Sequence, residues 1–198
     1  MRFSFIKSAA IIAVALSVAF LAACEDPLGW DDDEGATTAT TSTNAAFNIT
    51  GAETGQHNAY ATFSNGFDEF IDTYVFNIQL NEDPNITLAQ FMLSIQMHSD
   101  TPITLEEGQD YPLGLHPLAG GGGKGSFGAA LDWYTGDRTD PSDSAELNRY
   151  VNDVEGNMFI SSVRSTSISG IFNLTARSVE SGETITITTG NFTAARQN

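Results

Sequence analysis

The three histidines of this 198-residue chain are the first side chains to consider for catalysis at neutral pH. His57, His98 and His116 are far apart, and no HExxH or GxSxG motif gives any of them a partner for hydrolytic chemistry. We therefore expect surface or strand-face histidines and a protein that is not an enzyme. A small hydrolase is the less favoured alternative, because the 25 acidic residues could include a catalytic carboxylate pair.

An acid-rich segment follows Trp133 and is the candidate for cation binding. Asp137, Asp140 and Asp143 bring three carboxylates close together in sequence, and Ca²⁺ prefers oxygen ligands of this kind. Their spacing does not match an EF-hand loop, since the required glycine and closing glutamate are missing from their positions. We predict a solvated acidic loop, with a Ca²⁺ site at these three residues as the alternative.

Three aromatic residues could bind a sugar ring. Trp133 and Tyr134, together with Tyr111, would offer flat faces with polar tips, which suit a ligand such as a glycan. The alternative is that Ala129, Leu131 and Trp133 form one face of a strand, which would turn the indole into the core. We retain Trp133, Tyr134 and Tyr111 as candidate ligand-binding residues.

The amino terminus has the pattern of an export signal. Arg2 and Lys7 precede an uncharged apolar run over residues 9–23, which predicts a signal-peptide helix. Its 15 residues would span about 22 Å as a helix at ~1.5 Å per residue, less than the roughly 30 Å hydrocarbon core of a bilayer. A permanent transmembrane helix is therefore the weaker interpretation.

The only cysteine of the chain follows this run directly. Leu21-Ala22-Ala23-Cys24 resembles the lipobox of bacterial lipoproteins, in which the chain is cut before the cysteine and the thiol receives a diacylglyceryl group. The resemblance implies lipidation, such as with palmitate, at Cys24 and attachment to a membrane. The alternative is an ordinary signal peptide whose removal leaves Cys24 as a free thiol.

The residues after Cys24 are acidic and then rich in threonine. We interpret Glu25, Asp26 and the acids at positions 31–34 as part of a solvated tether. The alternative is a sorting signal, since these acids resemble those of lipoproteins from Bacteroidetes-like bacteria. Residues 36–44 lack an apolar face and predict a disordered linker. We predict a signal peptide over 1–23, a lipidated tether over 24–44 and one folded domain over 45–198. The expected location is the cell envelope, preferably the outer membrane, with the leaflet left open.

The charge of the chain excludes nucleic acid as a partner. If residues 1–23 are removed, six basic residues remain against 25 acidic ones, and such a field repels phosphate backbones. Partners are therefore expected to be the membrane, through the lipid anchor, and an envelope protein or a glycan.

Alternation of apolar and polar residues dominates the sequence after position 44. The residues expected to share buried faces are Phe47 and Ile49; Tyr74, Phe76, Ile78 and Leu80; Phe91, Leu93, Ile95 and Met97; Ile168, Phe172 and Leu174; Ile185 and Ile187. This period of two predicts antiparallel strands with one wet face. Eight to ten such strands favour an all-β fold, an antiparallel β-sandwich of two packed sheets.

Two local patterns add detail to this fold. A serine or aspartate cap and Glu146 predict at most one short helix, over residues 142–151. Glycine stands two residues before phenylalanine in Gly125-Ser126-Phe127, Gly170-Ile171-Phe172 and Gly190-Asn191-Phe192, which suggests close approaches filled by aromatic rings.

The stretches GQDYPLG, SGIFNLTA and ETITITTGNFTA resemble small Bacteroidetes-type β-sandwich lipoproteins, a family without an established activity. The sequence therefore predicts a lipid-anchored envelope protein that acts as a non-catalytic binding module. A structural component of an envelope or surface assembly is the alternative, which requires an exposed apolar patch or an open strand edge.

Overall fold

The computed structural model describes residues 43–84, 89–119, 123–136 and 145–197. These residues form nine β-strands and one 3-10 turn at Pro117–Ala119. The strands are β1 (Ala45–Gly51), β2 (Gly55–Asp68), β3 (Thr73–Asn81), β4 (Phe91–Ser99), β5 (Asp110–Leu115), β6 (Phe127–Thr135), β7 (Glu146–Val163), β8 (Ser167–Ser178) and β9 (Thr184–Arg196). The predicted all-β class and strand number are confirmed.

Hydrogen bonds join all nine strands into one mixed sheet that closes on itself. The order is β1-β2-β3-β4-β6-β5-β7-β8-β9, and β9 pairs back to β1. Most pairings are antiparallel, but β5 runs parallel to β6 and β9 runs parallel to β2 at its end. The predicted division into two sheets is therefore not marked by a break in hydrogen bonding. Alternation along a strand shows only that one face is buried. It therefore cannot distinguish two packed sheets from one closed sheet.

The interior of the closed sheet is filled by the predicted apolar faces. Phe76, Ile78 and Leu80 of β3 are at most 1% exposed, and the matching residues of the other strands listed above are buried, with Tyr74 and Met97 partly buried against them. Ala129, Leu131 and Trp133 are likewise buried. The core interpretation of Trp133 is therefore confirmed.

The short helix that the sequence allowed over residues 142–151 is absent from the described part of that range. Residues 146–151 belong to β7, and Glu146 and Tyr150 pair with Thr135 and Leu131 of β6. Pairing with strands on both sides satisfies the backbone more completely than a capping signal can, so tertiary context overrides the local preference.

The Gly-x-Phe repeats of β8 and β9 form two crossed pairs. Gly170 is in register with Phe192, and Gly190 is in register with Phe172. A Cβ atom at Gly170 would lie 2.8 Å from Cζ of Phe192, and one at Gly190 would lie closer still to the Phe172 ring. Each glycine therefore leaves space for the phenylalanine of the neighbouring strand.

Candidate ligand-binding site

A hollow of about 220 Å³ lies at one end of the closed sheet, where β2, β7 and β9 end and β3 and β8 begin. We call it the arginine cavity, after Arg164 and Arg196 in its lining. Its volume is below the range of roughly 300–1,000 Å³ typical of pockets for drug-sized ligands. The cavity therefore suits a small ligand or the end of a larger one.

The inner wall of the arginine cavity is apolar. The rings of Phe63 and Phe76 stack with centroids 6.1 Å apart, and Ile168 is 3% exposed beside them. These three side chains belong to the alternating faces that form the core, so the cavity opens onto the hydrophobic interior of the sheet. An apolar group is the part of a ligand that this wall would bind.

The segment between β4 and β5 covers one side of the arginine cavity. Ile103 and Leu105 are each 8% exposed and pack against the core. The side-chain amide of Asn65 donates a hydrogen bond of 2.9 Å to the carbonyl oxygen of Ile103. This bond fixes the middle of the segment, and two backbone hydrogen bonds join its end, at Gly108 and Gln109, to Ile160 of β7.

The two arginines lie at the mouth of the cavity because two neighbouring chain ends meet there. Arg164 begins the turn between β7 and β8, and its backbone N–H donates to the carbonyl of Ser167 at 2.8 Å. Arg196 ends β9, and its guanidinium donates to the carbonyl oxygen of Ser165 at 3.3 Å. Both side chains are exposed, so a ligand can reach them from solvent.

These two arginines differ from the other described basic residues in their ion pairing. Lys124 pairs with Asp100, Arg149 with Asp132 and Arg177 with Asp153. Within the described ranges, Arg164 and Arg196 have no carboxylate partner within salt-bridge distance, although the chain carries 25 acidic residues. Guanidinium groups bind carboxylate, phosphate or sulfate oxygens with two parallel hydrogen bonds. The mouth of the cavity can therefore receive an anionic group.

A patch of exposed apolar side chains occurs at the same end of the sheet. Phe70 is 97% exposed, and Phe67 and Ile71 are 51% and 47% exposed at the hairpin between β2 and β3. We call these three residues the hairpin patch. Large exposed aromatic side chains at a hairpin tip are a feature of surfaces that contact other molecules.

The structure does not bring the predicted aromatic residues into one platform. Trp133 is 5% exposed and stacks on Phe91, whereas Tyr134 is the next residue of β6 and points to the opposite face. Tyr111 packs edge-on against Phe127, and its hydroxyl accepts a hydrogen bond from the backbone N–H of Glu106. The three rings therefore occupy separate environments.

The remaining predicted sites lie outside the described residues. These are the lipidation site Cys24 and the candidate Ca²⁺ ligands Asp137, Asp140 and Asp143. Within the described ranges, no cluster of three or more His, Cys, Asp or Glu side chains has a geometry that could hold a metal ion. In those ranges we also find no helix with the length and apolar character to cross a membrane.

A serine and a histidine that are distant in sequence meet on the outer face of the sheet. Oγ of Ser94 lies 3.3 Å from Nε2 of His116, and the Ser94 hydroxyl donates to Oδ1 of Asn77 at 2.8 Å. His116 reaches this face because Gly128 has no side chain; a Cβ there would lie 2.5 Å from the Cα of His116. The sequence predicted a strand-face or surface histidine, and His116 is 6% exposed.

This pair is arranged for structure rather than nucleophilic catalysis. The hydrogen of Ser94 goes to Asn77, so the hydroxyl oxygen accepts from His116 instead of losing its proton to it. Asp132, which contributes to the electrostatic environment of His116, is held by Arg149 through two hydrogen bonds of 2.8 and 3.1 Å. Burial, followed by the nearby His98, lowers the pKa of His116 to about 4, which is too low for an efficient base at neutral pH.

Sequence reasoning missed the two arginines of the cavity, although a weak signal was present. No acidic residue stands within six positions of Arg164 or Arg196, whereas Arg149 and Arg177 have acids nearby. Lys124 also has an acid-free neighbourhood but pairs with Asp100 across the fold. The sequence therefore shows which basic residues lack acidic neighbours along the chain. Only the fold shows which of these also lack an ion pair among the described residues.

Comparison with known proteins returned no match: no family model fits this chain, and neither a curated protein nor a solved structure resembles it significantly.

Proposed function

We propose that this chain is a lipid-anchored protein of the bacterial cell envelope whose folded domain is a non-catalytic binding module. Its ligand is a small molecule with an apolar part and one anionic group, bound in the arginine cavity. The observation that carries the proposal is the position of Arg164 and Arg196, cations without a carboxylate partner among the described residues, at the mouth of an apolar hollow.

The anchoring part of the proposal rests on the sequence. Cys24 follows a lipobox-like tripeptide and a basic, apolar leader, and attachment through two or more acyl chains is stable where a single chain is not. The acid-rich tether and domain would be repelled by anionic headgroups, which favours a domain held away from the bilayer. The outer membrane is the proposed location.

The ligand chemistry follows from the two halves of the cavity. Phe63, Phe76 and Ile168 provide an apolar wall, so burying hydrocarbon there is favourable at about 25 cal/mol per Å². Among the described residues that line the cavity, only Arg164 and Arg196 are positively charged, and the surrounding acid excess disfavours anions elsewhere on the surface. A medium-chain carboxylate satisfies both requirements.

Titration calorimetry with octanoate tests the ligand proposal. We expect octanoate to bind the wild-type domain, and Arg164→Gln and Arg196→Gln each to weaken binding by about tenfold, as loss of one charge-assisted hydrogen bond predicts. Arg177→Gln is the matched control, because this exposed arginine pairs with Asp153 away from the cavity. Equal binding of octanol and octanoate, or unchanged affinity in both cavity variants, would contradict the proposal.

Intact-mass measurement and detergent partitioning of the native protein test the anchor. We expect the mature chain to begin at Cys24, to carry an acyl mass increment and to enter the detergent phase, and Cys24→Ala to remain in the aqueous phase. A mature wild-type protein without the increment would refute anchoring but would leave the octanoate result standing.

The hairpin patch favours a second function as a structural component of an envelope assembly. Phe67, Phe70 and Ile71 expose apolar surface that a protein partner could cover. Crosslinking on intact cells should then yield a discrete protein adduct that Phe70→Asp abolishes. The same adduct in wild type and variant would exclude the hairpin patch as the contact.

A further inference from the structure

A second hollow, of about 170 Å³, lies on the outer face of β7, β8 and β9 beside the start of β5. We call it the Asn173 hollow. It shares none of its lining residues with the arginine cavity. It is therefore an independent candidate for binding.

A bulge in β9 shapes the Asn173 hollow. Along β8 the register passes from Phe172 opposite Gly190 to Leu174 opposite Ile187, so Thr188 and Thr189 together face Asn173. The pairing of β9 with β1 also shifts at this point. Bulges of this kind redirect side chains and occur often beside functional sites.

Polar groups with free hydrogen-bonding capacity line the hollow. Asn173, Thr188 and Thr189 are exposed, and their side chains make no hydrogen bond within the described part of the chain. The amide of Asn157 donates to Oδ1 of Asp110 at 2.6 Å. This bond orients both groups and leaves Oδ2 of Asp110 and Oδ1 of Asn157 to accept from a ligand.

Apolar surface lies among these polar groups. Ile171 is 55% exposed, and the partly buried Phe159 also lines the hollow. Phe172 borders the hollow too, but its ring packs inward in the core. A ligand that carries both hydroxyl groups and C–H faces would match this mixture.

The charge of the lining narrows the ligand class. No basic residue is among the described residues that line the hollow, so an anion has nothing to pair with there. Asp110 is the only carboxylate among the described lining residues, and it is already held by Asn157, whereas Ca²⁺ needs several oxygen ligands. We propose that the Asn173 hollow binds a neutral, polyhydroxylated ligand, a carbohydrate, through Asp110, Asn157 and Asn173. This site differs from Trp133, Tyr134 and Tyr111, the candidate sugar-binding residues of the sequence.

Saturation-transfer NMR on the intact folded domain tests this proposal. The probes are the methyl glycosides of glucose, mannose and galactose, each at millimolar concentration. We expect saturation transfer to at least one glycoside, and Asn173→Ala and Asp110→Asn each to weaken its binding by about tenfold, as loss of a hydrogen bond to a sugar hydroxyl predicts. Asn173→Trp should abolish binding by filling the hollow.

Two controls distinguish this site from general effects. Asn58→Ala removes an exposed asparagine on β2, outside the hollow, and should leave glycoside binding unchanged. Arg164→Gln should also leave it unchanged, so failure of the octanoate experiment would not affect this one. Absence of saturation transfer to all three glycosides, or transfer that survives both Asn173→Ala and Asn173→Trp, would overturn the proposal.

Discussion

The two ends of the closed sheet are built from the same alternating strands but are closed in different ways. At the end that contains the arginine cavity, a hollow remains beside Arg164 and Arg196, which make no ion pair within the described residues. At the other end, Phe47, His57, Phe91 and Trp133 pack together; we call this group the aromatic end. His57 and Phe63 lie six residues apart on β2, so the two groups are about 20 Å apart at ~3.3 Å per residue.

Ring packing closes the aromatic end. Phe91 and Trp133 stack with centroids 5.6 Å apart, and His57 meets Trp133 edge-on at 5.1 Å. Burial lowers the pKa of His57, and its Nε2 atom has no hydrogen-bond partner within the described residues. A neutral imidazole is the form that this apolar environment favours.

The two ends also differ in charge. Burial, followed by the proximity of Glu183, raises the pKa of Glu53, which shares a hydrogen bond with Tyr150. Burial and then Glu53 raise the pKa of Tyr150 to about 12. Both ends carry carboxylates, since Asp68, Glu69 and Asp72 lie at the hairpin beside the cavity end. The cavity end differs in having Arg164 and Arg196, which make no ion pair within the described residues. The filled aromatic end therefore contributes stability, whereas the cavity end is available for a ligand.

The largest effect should come from removing a ring at the aromatic end. Phe91→Ala should lower the free energy of unfolding by about 3–5 kcal/mol, because Phe91 is 1% exposed and its removal leaves a cavity. Urea denaturation measures the change. Phe70→Ala makes the same chemical change at a residue 97% exposed and should cost no more than about 0.5 kcal/mol.

Equal losses for Phe91→Ala and Phe70→Ala would show that the hairpin patch is covered and that the aromatic end does not dominate stability. The proposed division between a closed end and an open end would then fail.

The sequence predicted the features that depend on residues close together in the chain, and it did not predict those that depend on residues far apart in it. Alternation identified the buried faces of Phe76, Ile78 and Leu80, because the period of a strand is local. The helix predicted over 142–151 was wrong in its described part, because pairing with β6 lies beyond any local window. The arginine cavity could not be derived, since Phe63, Ile103 and Arg164 meet only after the sheet closes.

The second largest effect should be a dependence of stability on pH through His116. The pKa of this residue is lowered from 6.5 to about 4 in the folded chain, so the unfolded state binds the proton first as the pH falls. The contribution of His116 is therefore fully present above pH 6.5 and is lost progressively down to about pH 4, by about 3 kcal/mol in all.

His116→Gln isolates this contribution. Urea denaturation of wild type and variant at pH 7 and pH 4.5 should show a smaller loss for the variant, and NMR titration of the His116 ring should give a midpoint well below 6.5. His98, Asp132 and Arg149 surround position 116 in both proteins, so the comparison isolates the contribution of the imidazole. Parallel losses in the two proteins would contradict the assigned pKa.

A smaller effect is expected from Gly190→Ala in β9, in register with Phe47 of the aromatic end. The added Cβ would overlap the ring of Phe172, and overpacking of this kind typically costs 1–3 kcal/mol. Gly66→Ala is the matched control, because no atom lies within 4 Å of the position of its added Cβ. Thermal unfolding should separate the two variants, and equal midpoints would show that the crossed Gly–Phe pairs do not constrain β8 and β9.

The smallest change in the free energy of unfolding should come from substitutions at the cavity end. Arg164 and Arg196 are exposed and make no ion pair within the described residues, so replacing both with glutamine should change the free energy of unfolding by less than about 0.5 kcal/mol. Octanoate at ten times its Kd should stabilise the wild type by about 1.4 kcal/mol and should stabilise the double variant much less when added at the same concentration. A much lower free energy of unfolding for the double variant without ligand would show that the two arginines stabilise the fold. The cavity end would then contribute to stability as the aromatic end does.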